Sequence, residues 1–292
     1  MRANCGDLHS NWSDAVIMQP TLKTVIGMYD AVDVGYLPTN IFANYSMSEQ
    51  VYTTDELGEA ASILSIDFFN NSTGTATRNL KIYMAHCDVS SPSSNPWGDW
   101  INITSDDLVF SGNVNFASKA WTSITLDTPF DYNGTQNVVL KVADNTGSAS
   151  GQFYFLCNTN PDQTLRAKGV FGDQIYDPTD ETAYQYASAT TNRNYIRIVK
   201  AKKPTNLQCT AHTHITADLS WTENGNATSW QICLNGDMNN LIDVTTRSTT
   251  EYYTLTGLTQ NTHYTAKVRS PYGTGYTNWS NEVSFTTFPA LP

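Results

Sequence analysis

Positive charge is scarce in this 292-residue sequence, and long hydrophobic runs are missing. It has 16 lysines and arginines against 27 aspartates and glutamates, a formal net charge of −11. An acidic surface repels phosphate backbones and anionic lipid headgroups, so we expect neither a nucleic acid partner nor a membrane surface. No apolar stretch reaches the length that crosses a bilayer, which excludes membrane insertion through a hydrophobic helix.

Cysteine is also sparse, and its spacing is uninformative. The five cysteines include no C-x-x-C pair, so neither a zinc ribbon nor a redox motif is predicted. Cys87 could pair with Cys157, and Cys209 with Cys233. The alternative is that these four residues are buried free thiols.

The sequence lacks the common catalytic motifs. It has no G-x-S-x-G elbow, no H-E-x-x-H helix and no glycine-rich phosphate loop. His86 adjoins Cys87, but neighbours on a strand point to opposite faces and cannot form a nucleophile–base pair. No two carboxylates are singled out as a glycosidase acid and base. We therefore predict a non-catalytic chain.

What the sequence does contain is β-structure. Threonine, asparagine, serine and tyrosine are abundant, and short apolar–polar alternations are separated by glycine and asparagine turns. Over residues 204–287 the turns follow one another at the spacing of an all-β sandwich. In YTAKVR, Tyr264, Ala266 and Val268 share one strand face, which predicts that this face lies in the core.

Residues 204–287 resemble a fibronectin type III domain, an immunoglobulin-like sandwich. Its features are Pro204 and Leu207 at the start, LSW at 219–221 and LTGLTQNTHYTAKVR at 255–269. Gln260 departs from the pattern, because many members have proline there. The resemblance implies that the Tyr264 hydroxyl bonds to the backbone of the preceding corner.

The beginning of the chain repeats the end of this domain. At a constant offset, Arg2 aligns with Arg269, and the Asn-Trp-Ser of 11–13 aligns with that of 278–280. We expect residues 1–20 to be the last two strands of a truncated fibronectin type III domain. The alternative is a chance similarity of two short hairpins. The chain would then be a fragment of a longer tandem protein, with any secretion signal lost and residues 288–292 leading to a missing module.

Residues 21–201 are predicted to form a second sandwich. Seven candidate strands alternate regularly, and no ten-residue helical pattern separates them, which favours an antiparallel two-sheet fold. Only SEQVYTTDELGEA has helical character, where a Thr-Asp-Glu segment could cap one turn. The basic, proline-containing VKAKKPTN at 199–206 indicates the boundary. These strands are ASILSIDFF, RNLKIYMAH, DLVFSG, AWTSITLDTPF, QNVVLKVAD, GQFYFLC and RNYIRIVK.

This unit resembles a jelly-roll-like β-sandwich module of secreted bacterial surface proteins. The matching segments are NYSMSEQVYTTDELG, ATRNLKIYMAH, LDTPFDYNGTQNVVLKVADNTG and the late YIRI. Such modules lie between fibronectin type III repeats, often near cleaved-adhesin jelly rolls of the gingipain adhesin kind. The resemblance implies a secreted or cell-surface protein that acts in adhesion or targeting. Its partners would be glycans or host glycoproteins and other domains of the same longer chain.

The candidate binding site is SSPSSNPWGDW at 90–100. Trp97 and Trp100 lie in a loop without alternation, and exposed tryptophan faces are typical of sugar-binding surfaces. Asp99 and Asn95 could bond to sugar hydroxyls. The alternative is that one or both tryptophans cover the sandwich.

A second, weaker candidate binding site is YDPTDETAYQY at 176–186, which contains three tyrosines. These are Tyr176, Tyr184 and Tyr186.

One structural calcium ion is a further expectation, and no other cofactor is predicted. VADNTG at 142–147 offers the side-chain oxygens of Asp144 and Asn145 beside a glycine turn. Hydrogen bonding within an Asx turn explains the same residues without an ion.

The sequence thus favours a non-catalytic fragment that binds carbohydrate or glycoprotein, with fibronectin type III spacers. One alternative is an accessory, targeting region of a secreted peptidase or glycoside hydrolase whose catalytic domain lies outside the chain. Another is a purely structural stalk, against which only the tryptophan loop argues.

Overall fold

Short strands joined by turns make up nearly all of the described chain, as the composition predicts. The computed structural model describes residues 4–5, 8–9, 22–27, 31–151, 153–159, 162–180, 186–245, 252–273 and 275–290. The strands up to residue 201 are β1 (Asn4–Cys5), β2 (Leu8–His9), β3 (Leu22–Ile26), β4 (Ala31–Val34), β5 (Tyr45–Tyr52), β6 (Ala61–Asn70), β7 (Ala76–Cys87), β8 (Leu108–Phe116), β9 (Ala120–Tyr132), β10 (Asn137–Asp144), β11 (Phe155–Thr159), β12 (Ala167–Gly172), β13 (Ser188–Thr190), β14 (Asn192–Asn194) and β15 (Ile196–Ala201).

Strands β3 to β15 form two facing antiparallel sheets. The front sheet has the order β13-β12-β5-β10-β7-β8. The back sheet has the order β14-β11-β6-β15-β3, with β9 paired to β6 and β4 paired to β11. The chain crosses between the sheets at most steps from β5 to β12, so the predicted jelly-roll-like sandwich is confirmed.

The main core lies between the two sheets. Every second residue of β7, namely Leu80, Ile82 and Met84, lies in this core, together with the apolar face of β10. The opposite face of β7 is buried too, because Tyr83 and Ala85 pack in a separate cluster. The outer face of the front sheet is therefore covered by other parts of the chain.

A single helical turn, α1 (Thr54–Leu57), follows β5, where the sequence predicts one capped turn. Thr53 donates its backbone N–H to Glu56 Oε2 at 2.9 Å, and its hydroxyl donates to the same oxygen at 3.0 Å. This capping box satisfies groups that the short helix leaves unpaired. The Arg193 guanidinium forms an ion pair with Glu56 at 2.5 Å and also donates to the Val51 carbonyl at 2.7 Å.

The C-terminal unit is a two-sheet sandwich with its own core. Its strands are β16 (Thr205–His212), β17 (Ala217–Thr222), β18 (Trp230–Leu234), β19 (Ile242–Val244), β20 (Tyr252–Leu255), β21 (His263–Arg269), β22 (Pro271–Tyr272), β23 (Gly275–Tyr276) and β24 (Val283–Thr286). They form sheets of order β16-β17-β20 and β19-β18-β21-β24. Thr259 donates its backbone N–H to the Tyr264 hydroxyl at 2.8 Å, which confirms the predicted tyrosine corner.

The hairpin of the repeated segment has the same strand register at both ends of the chain. In β22–β23, Pro271 pairs with Tyr276, and in β1–β2, Asn4 pairs with His9, five residues apart in each case. The guanidinium carbon of Arg269 lies 4.4 Å from the centre of a Trp279 ring. The segment from 10 to 20, with the first Asn-Trp-Ser, lies outside the described residues.

The described cysteines form no disulfide. Cys87, Cys157 and Cys233 are buried, Cys209 is half-buried, and all four thiols are free. The structure thus selects the alternative in which they act as small core residues. Cys5 falls where the structure does not describe side chains.

Candidate functional site

The predicted binding loop lies across the outer face of the front sheet. We call residues 90–101 the aromatic loop. Asn95 Oδ1 accepts the backbone N–H of Trp97 at 3.1 Å, and Asp99 Oδ2 accepts from Asn95 Nδ2 at 2.9 Å. Asp99 has a φ of 55°, in the left-handed region that aspartate tolerates. Gly98, which precedes it, has a φ of 152°. This reversal separates Trp97 from Trp100.

Trp97 is on the surface, where it meets a tyrosine from a distant part of the chain. Its side chain is 55% exposed, and that of Tyr186 is 74% exposed. The ring centres are 4.8 Å apart, with 55° between the planes. The Ala187 backbone N–H donates to the Pro96 carbonyl at 3.0 Å, which holds the two segments together. We call Trp97 and Tyr186 the aromatic pair; each belongs to a separate binding candidate in the sequence.

Trp100 lies inside the protein, whereas the loop composition predicts an exposed, sugar-binding side chain. It is 3% exposed and packs with Met47, Val170 and Tyr176. The physical reason is that the outer face of the front sheet carries apolar side chains such as Met47 and Val170, which Trp100 covers. This is the alternative interpretation given above. Tyr176 is buried in the same cluster, and Tyr184 lies outside the described residues.

Asp99 and Asn95 stand at the rim of the aromatic pair. The hydrogen bonds from Asn95 and then Ser93 lower the pKa of Asp99, so this carboxylate is ionised at neutral pH. The aromatic loop thus combines an exposed aromatic surface with a negatively charged, hydrogen-bonding rim. Such a combination fits a neutral ligand that offers both a flat apolar face and hydroxyl groups.

Buried charges lie beneath the aromatic loop, and sequence reasoning missed them. Glu49, Lys141 and Lys168 are each at most 1% exposed, although they lie on strands β5, β10 and β12. Burial raises the pKa of Glu49, against the opposing charge of Lys141, and burial lowers the pKa of Lys168. The sequence signals only the face on which they lie, because the alternation of each strand places them on the outer side of the sheet. It does not signal that this side is buried.

Asp144, one of the two predicted calcium ligands, is engaged in other contacts. Arg78 Nε donates to Asp144 Oδ2 at 2.7 Å, and Thr146 donates its backbone N–H to Asp144 Oδ1 at 3.0 Å. Arg78 neutralises the carboxylate that a cation would need, and the turn matches the Asx alternative. Asn145 Oδ1 is buried beside this turn without a hydrogen-bond partner among the described residues. Within the described ranges, no group of three or more His, Cys, Asp or Glu side chains could hold a metal ion.

His86 and Cys87 act as structural residues. His86 Nε2 accepts the backbone N–H of Asn133 at 3.1 Å, and its ring lies 4.8 Å from that of Phe130. Burial lowers the pKa of His86 and raises the pKa of the Cys87 thiol to about 11. A protonated thiol is a weak nucleophile, so this pair is unsuited to covalent catalysis.

A cleft of about 400 Å³ lies between the two sandwiches. It is lined by residues such as Glu59, Lys202, Glu223 and Ser270, and none of the described histidines or cysteines lines it. Glu223 is already engaged, because Trp230 Nε1 donates to it at 2.6 Å and the Ser270 hydroxyl donates at 3.2 Å. These contacts lie within the C-terminal sandwich, on its side of the cleft. In the part of the chain that the structure describes, no helix is long and apolar enough to cross a membrane.

Comparison with solved structures returns fibronectin type III domains and a glucanase. A fibronectin type-III domain of human fibronectin type III domain containing protein 3 is 22% identical, covering 30% of this chain and 85% of that one, with a TM-score of 0.25. The fn3 domain of human collagen alpha-1(XX) chain is 20% identical over 31% and 88%, with a TM-score of 0.26. A beta-1,2-glucanase from Parabacteroides distasonis is 16% identical over 80% of this chain and 29% of that enzyme, with a TM-score of 0.25.

Similarity at this level carries no conclusion about function. No curated protein matches the chain. The family model described as "Fibronectin type III domain" matches residues 202–286, close to the boundaries that the sequence predicts. Together with the two sheets and the tyrosine corner, this match shows that residues 202–286 are a fibronectin type III domain.

Proposed function

We propose that this chain is a non-catalytic recognition fragment of a secreted or cell-surface protein. The jelly-roll-like sandwich binds a neutral glycan, free or on a host glycoprotein, and the fibronectin type III domain is its spacer. The observation that carries the proposal is the exposed aromatic pair, Trp97 and Tyr186, with ring centres 4.8 Å apart. Exposed aromatic rings this close together are unusual on a protein that does not use them.

The aromatic pair is held in place before any ligand arrives. The aromatic loop is fixed by Asn95 and Asp99, and its Pro96 carbonyl accepts the Ala187 N–H next to Tyr186. A surface that is already ordered loses less side-chain entropy on binding, which favours affinity for a weakly interacting ligand such as a sugar.

Charge supports a neutral ligand. The chain carries a net charge of −11, and the ionised Asp99 lies two residues from Trp97. Uronic acid or sulfated glycans would be repelled by this field, whereas neutral sugars would gain hydrogen bonds to Asp99 and Asn95.

We also propose that residues 1–20 derive from another fibronectin type III copy in a longer tandem protein. The identical register of β1–β2 and β22–β23 supports this origin, since the two hairpins align at the same offset as the Asn-Trp-Ser repeat. The same binding surface would also serve an accessory region of a secreted peptidase or glycoside hydrolase. A catalytic domain encoded in the flanking reading frame would favour that alternative.

The test is a glycan screen of the whole chain, with and without calcium, alongside Trp97→Ala and Tyr186→Ala. Phe288→Ala is the matched control, because Phe288 is also 55% exposed and packs against His212 of the other domain. We expect binding of neutral glycans that both site variants abolish and the control retains. Folded protein that binds no glycan, or binding that survives both substitutions, would refute the proposed function.

A further inference from the structure

The three buried charges under the aromatic loop form a continuous row across the front sheet. Glu49 in β5 pairs in register with Lys141 of β10 on one side and with Lys168 of β12 on the other. Paired residues in antiparallel strands point to the same face, here the outer one. Lys141 Nζ lies 3.4 Å from Glu49 Oε2.

Each member of this row holds backbone that passes above it. Lys168 Nζ donates to the Gly98 carbonyl, between Trp97 and Asp99. Glu49 Oε2 accepts the Ile101 N–H at 2.8 Å. The aromatic loop is therefore held on both sides of Trp100, by one positive and one negative side chain.

The third charge holds the neighbouring segment that leads towards Tyr186. Lys141 Nζ donates to the Pro178 carbonyl at 3.2 Å. The Trp100 ring fills the space between these contacts, with Lys168 Nζ at 4.9 Å from the ring centre and Lys141 Nζ at 5.8 Å. Cation–π attraction adds to the hydrogen bonds in this buried site.

The cost of burying these charges points to a role beyond packing. Desolvating charged groups is expensive, and apolar residues of similar volume often replace a buried ion pair without loss of stability. What apolar residues cannot do is bind a backbone carbonyl and a backbone N–H at defined points. We infer that Glu49 and Lys168 are positioning residues, which fix the aromatic loop so that Trp97 is presented beside Tyr186.

This inference deepens the proposed function and rests on it only for the identity of the ligand that the aromatic pair binds. The position of the loop itself can be measured without one. The Ala187 and Ile101 amides report it by hydrogen exchange, since Ala187 donates to the Pro96 carbonyl and Ile101 to Glu49. The Val139 amide, in a buried central strand, reports global unfolding instead.

The decisive variant is Lys168→Met in the full chain, which keeps the aliphatic stem and removes the donor. Lys200→Met is the matched control, because Lys200 Nζ also donates to a carbonyl, that of Leu57, away from the loop. We expect exchange at Ala187 and Ile101 to accelerate roughly ten- to a hundredfold in Lys168→Met, with Val139 unchanged. Lys200→Met should leave all three amides unchanged.

Binding is measured on the same variants with the neutral glycan that the screen identifies. Accelerated exchange with lost binding supports the inference, and accelerated exchange without any glycan binding in the unmodified chain refutes only the proposed function. Unchanged exchange at Ala187 in Lys168→Met would overturn the inference. If that variant does not fold, hydrogen exchange of the unmodified chain provides the test. An Ile101 amide that exchanges as fast as an amide in an unstructured loop would contradict positioning by Glu49.

Discussion

Asn278 of the fibronectin type III domain donates its side-chain amide to the main-chain carbonyl of Pro129 in the jelly-roll-like sandwich, at 3.0 Å. Its backbone N–H also donates to the Ser62 hydroxyl at 3.3 Å. Lys203, in the three-residue connection between β15 and β16, forms an ion pair with Asp131 next to the same site. The spacer is thus attached to its neighbour by contacts as well as by the chain.

Removing the two side-chain contacts, those of Asn278 and Lys203, should release the two domains from each other. We expect Asn278→Ala combined with Lys203→Ala to leave both domains folded, because each has a separate core. The alignment tensors of the two domains, measured by residual dipolar couplings, should agree in the unmodified chain and diverge in the variant. Asn240→Ala is the control, since its side chain bonds only within a turn at Asp237. Equal tensors in the double variant would show that these contacts do not set the orientation.

The tyrosine corner should stabilise the fibronectin type III domain measurably. Tyr264→Phe leaves the Thr259 N–H without its acceptor and should lower the free energy of unfolding by about 1–2 kcal/mol. Denaturant unfolding of this domain gives the value. Tyr253→Phe is the comparison, because Tyr253 only borders the core, and a loss as large in that variant would contradict a specific role for the corner.

Arg78 and Asp144 should behave as a buried ion pair without calcium. Their side chains are at most 2% exposed and 2.6 Å apart. Asp144→Ala should cost roughly 3–5 kcal/mol, because it leaves a buried positive charge, and replacing both residues by apolar ones should cost less. Chelation of calcium should not shift the melting temperature of the unmodified chain. A melting temperature that falls on chelation and recovers when calcium is added back would establish the calcium site instead, provided that Asp144→Asn abolishes this response.

Acid should weaken the anchor of helix α1. Burial alone would raise the pKa of Glu56, but the hydrogen bond and charge of Arg193 outweigh it and lower that pKa to about 2. A lowered pKa in the folded state means that this stabilisation is present above the ordinary value of 4.5. It is lost as the pH falls from there towards 2.

The size of this effect follows from the shift. It corresponds to about 3 kcal/mol at most, and the partial exposure of Glu56 reduces it to about 2 kcal/mol. The difference in unfolding free energy between the unmodified chain and Glu56→Gln should therefore shrink as the pH falls from 5 to about 2. A difference that does not change over this interval would rule out Glu56 as the titrating group.

The predictions from sequence succeeded where they depend on interactions between residues that are close together in the chain. The alternation of Leu80, Ile82 and Met84 identified a strand and its core face, since side chains on a strand have a period of two. The Thr-Asp-Glu segment identified the capped turn of α1, and the LTGL-to-Tyr264 spacing identified the tyrosine corner. Each of these depends on residues within about one strand or turn of each other.

The sequence alone determined an all-β chain with two sandwiches, a fibronectin type III domain and a tryptophan-containing loop as the candidate site. Only the tertiary structure decided that Trp97 faces outward while Trp100 is buried, because a loop without alternation does not specify which side chain meets the sheet. It also brought Tyr186 to Trp97 across 89 positions of sequence and placed Glu49 between Lys141 and Lys168. These relationships depend on strand order and register, which long-range packing sets and local sequence does not encode.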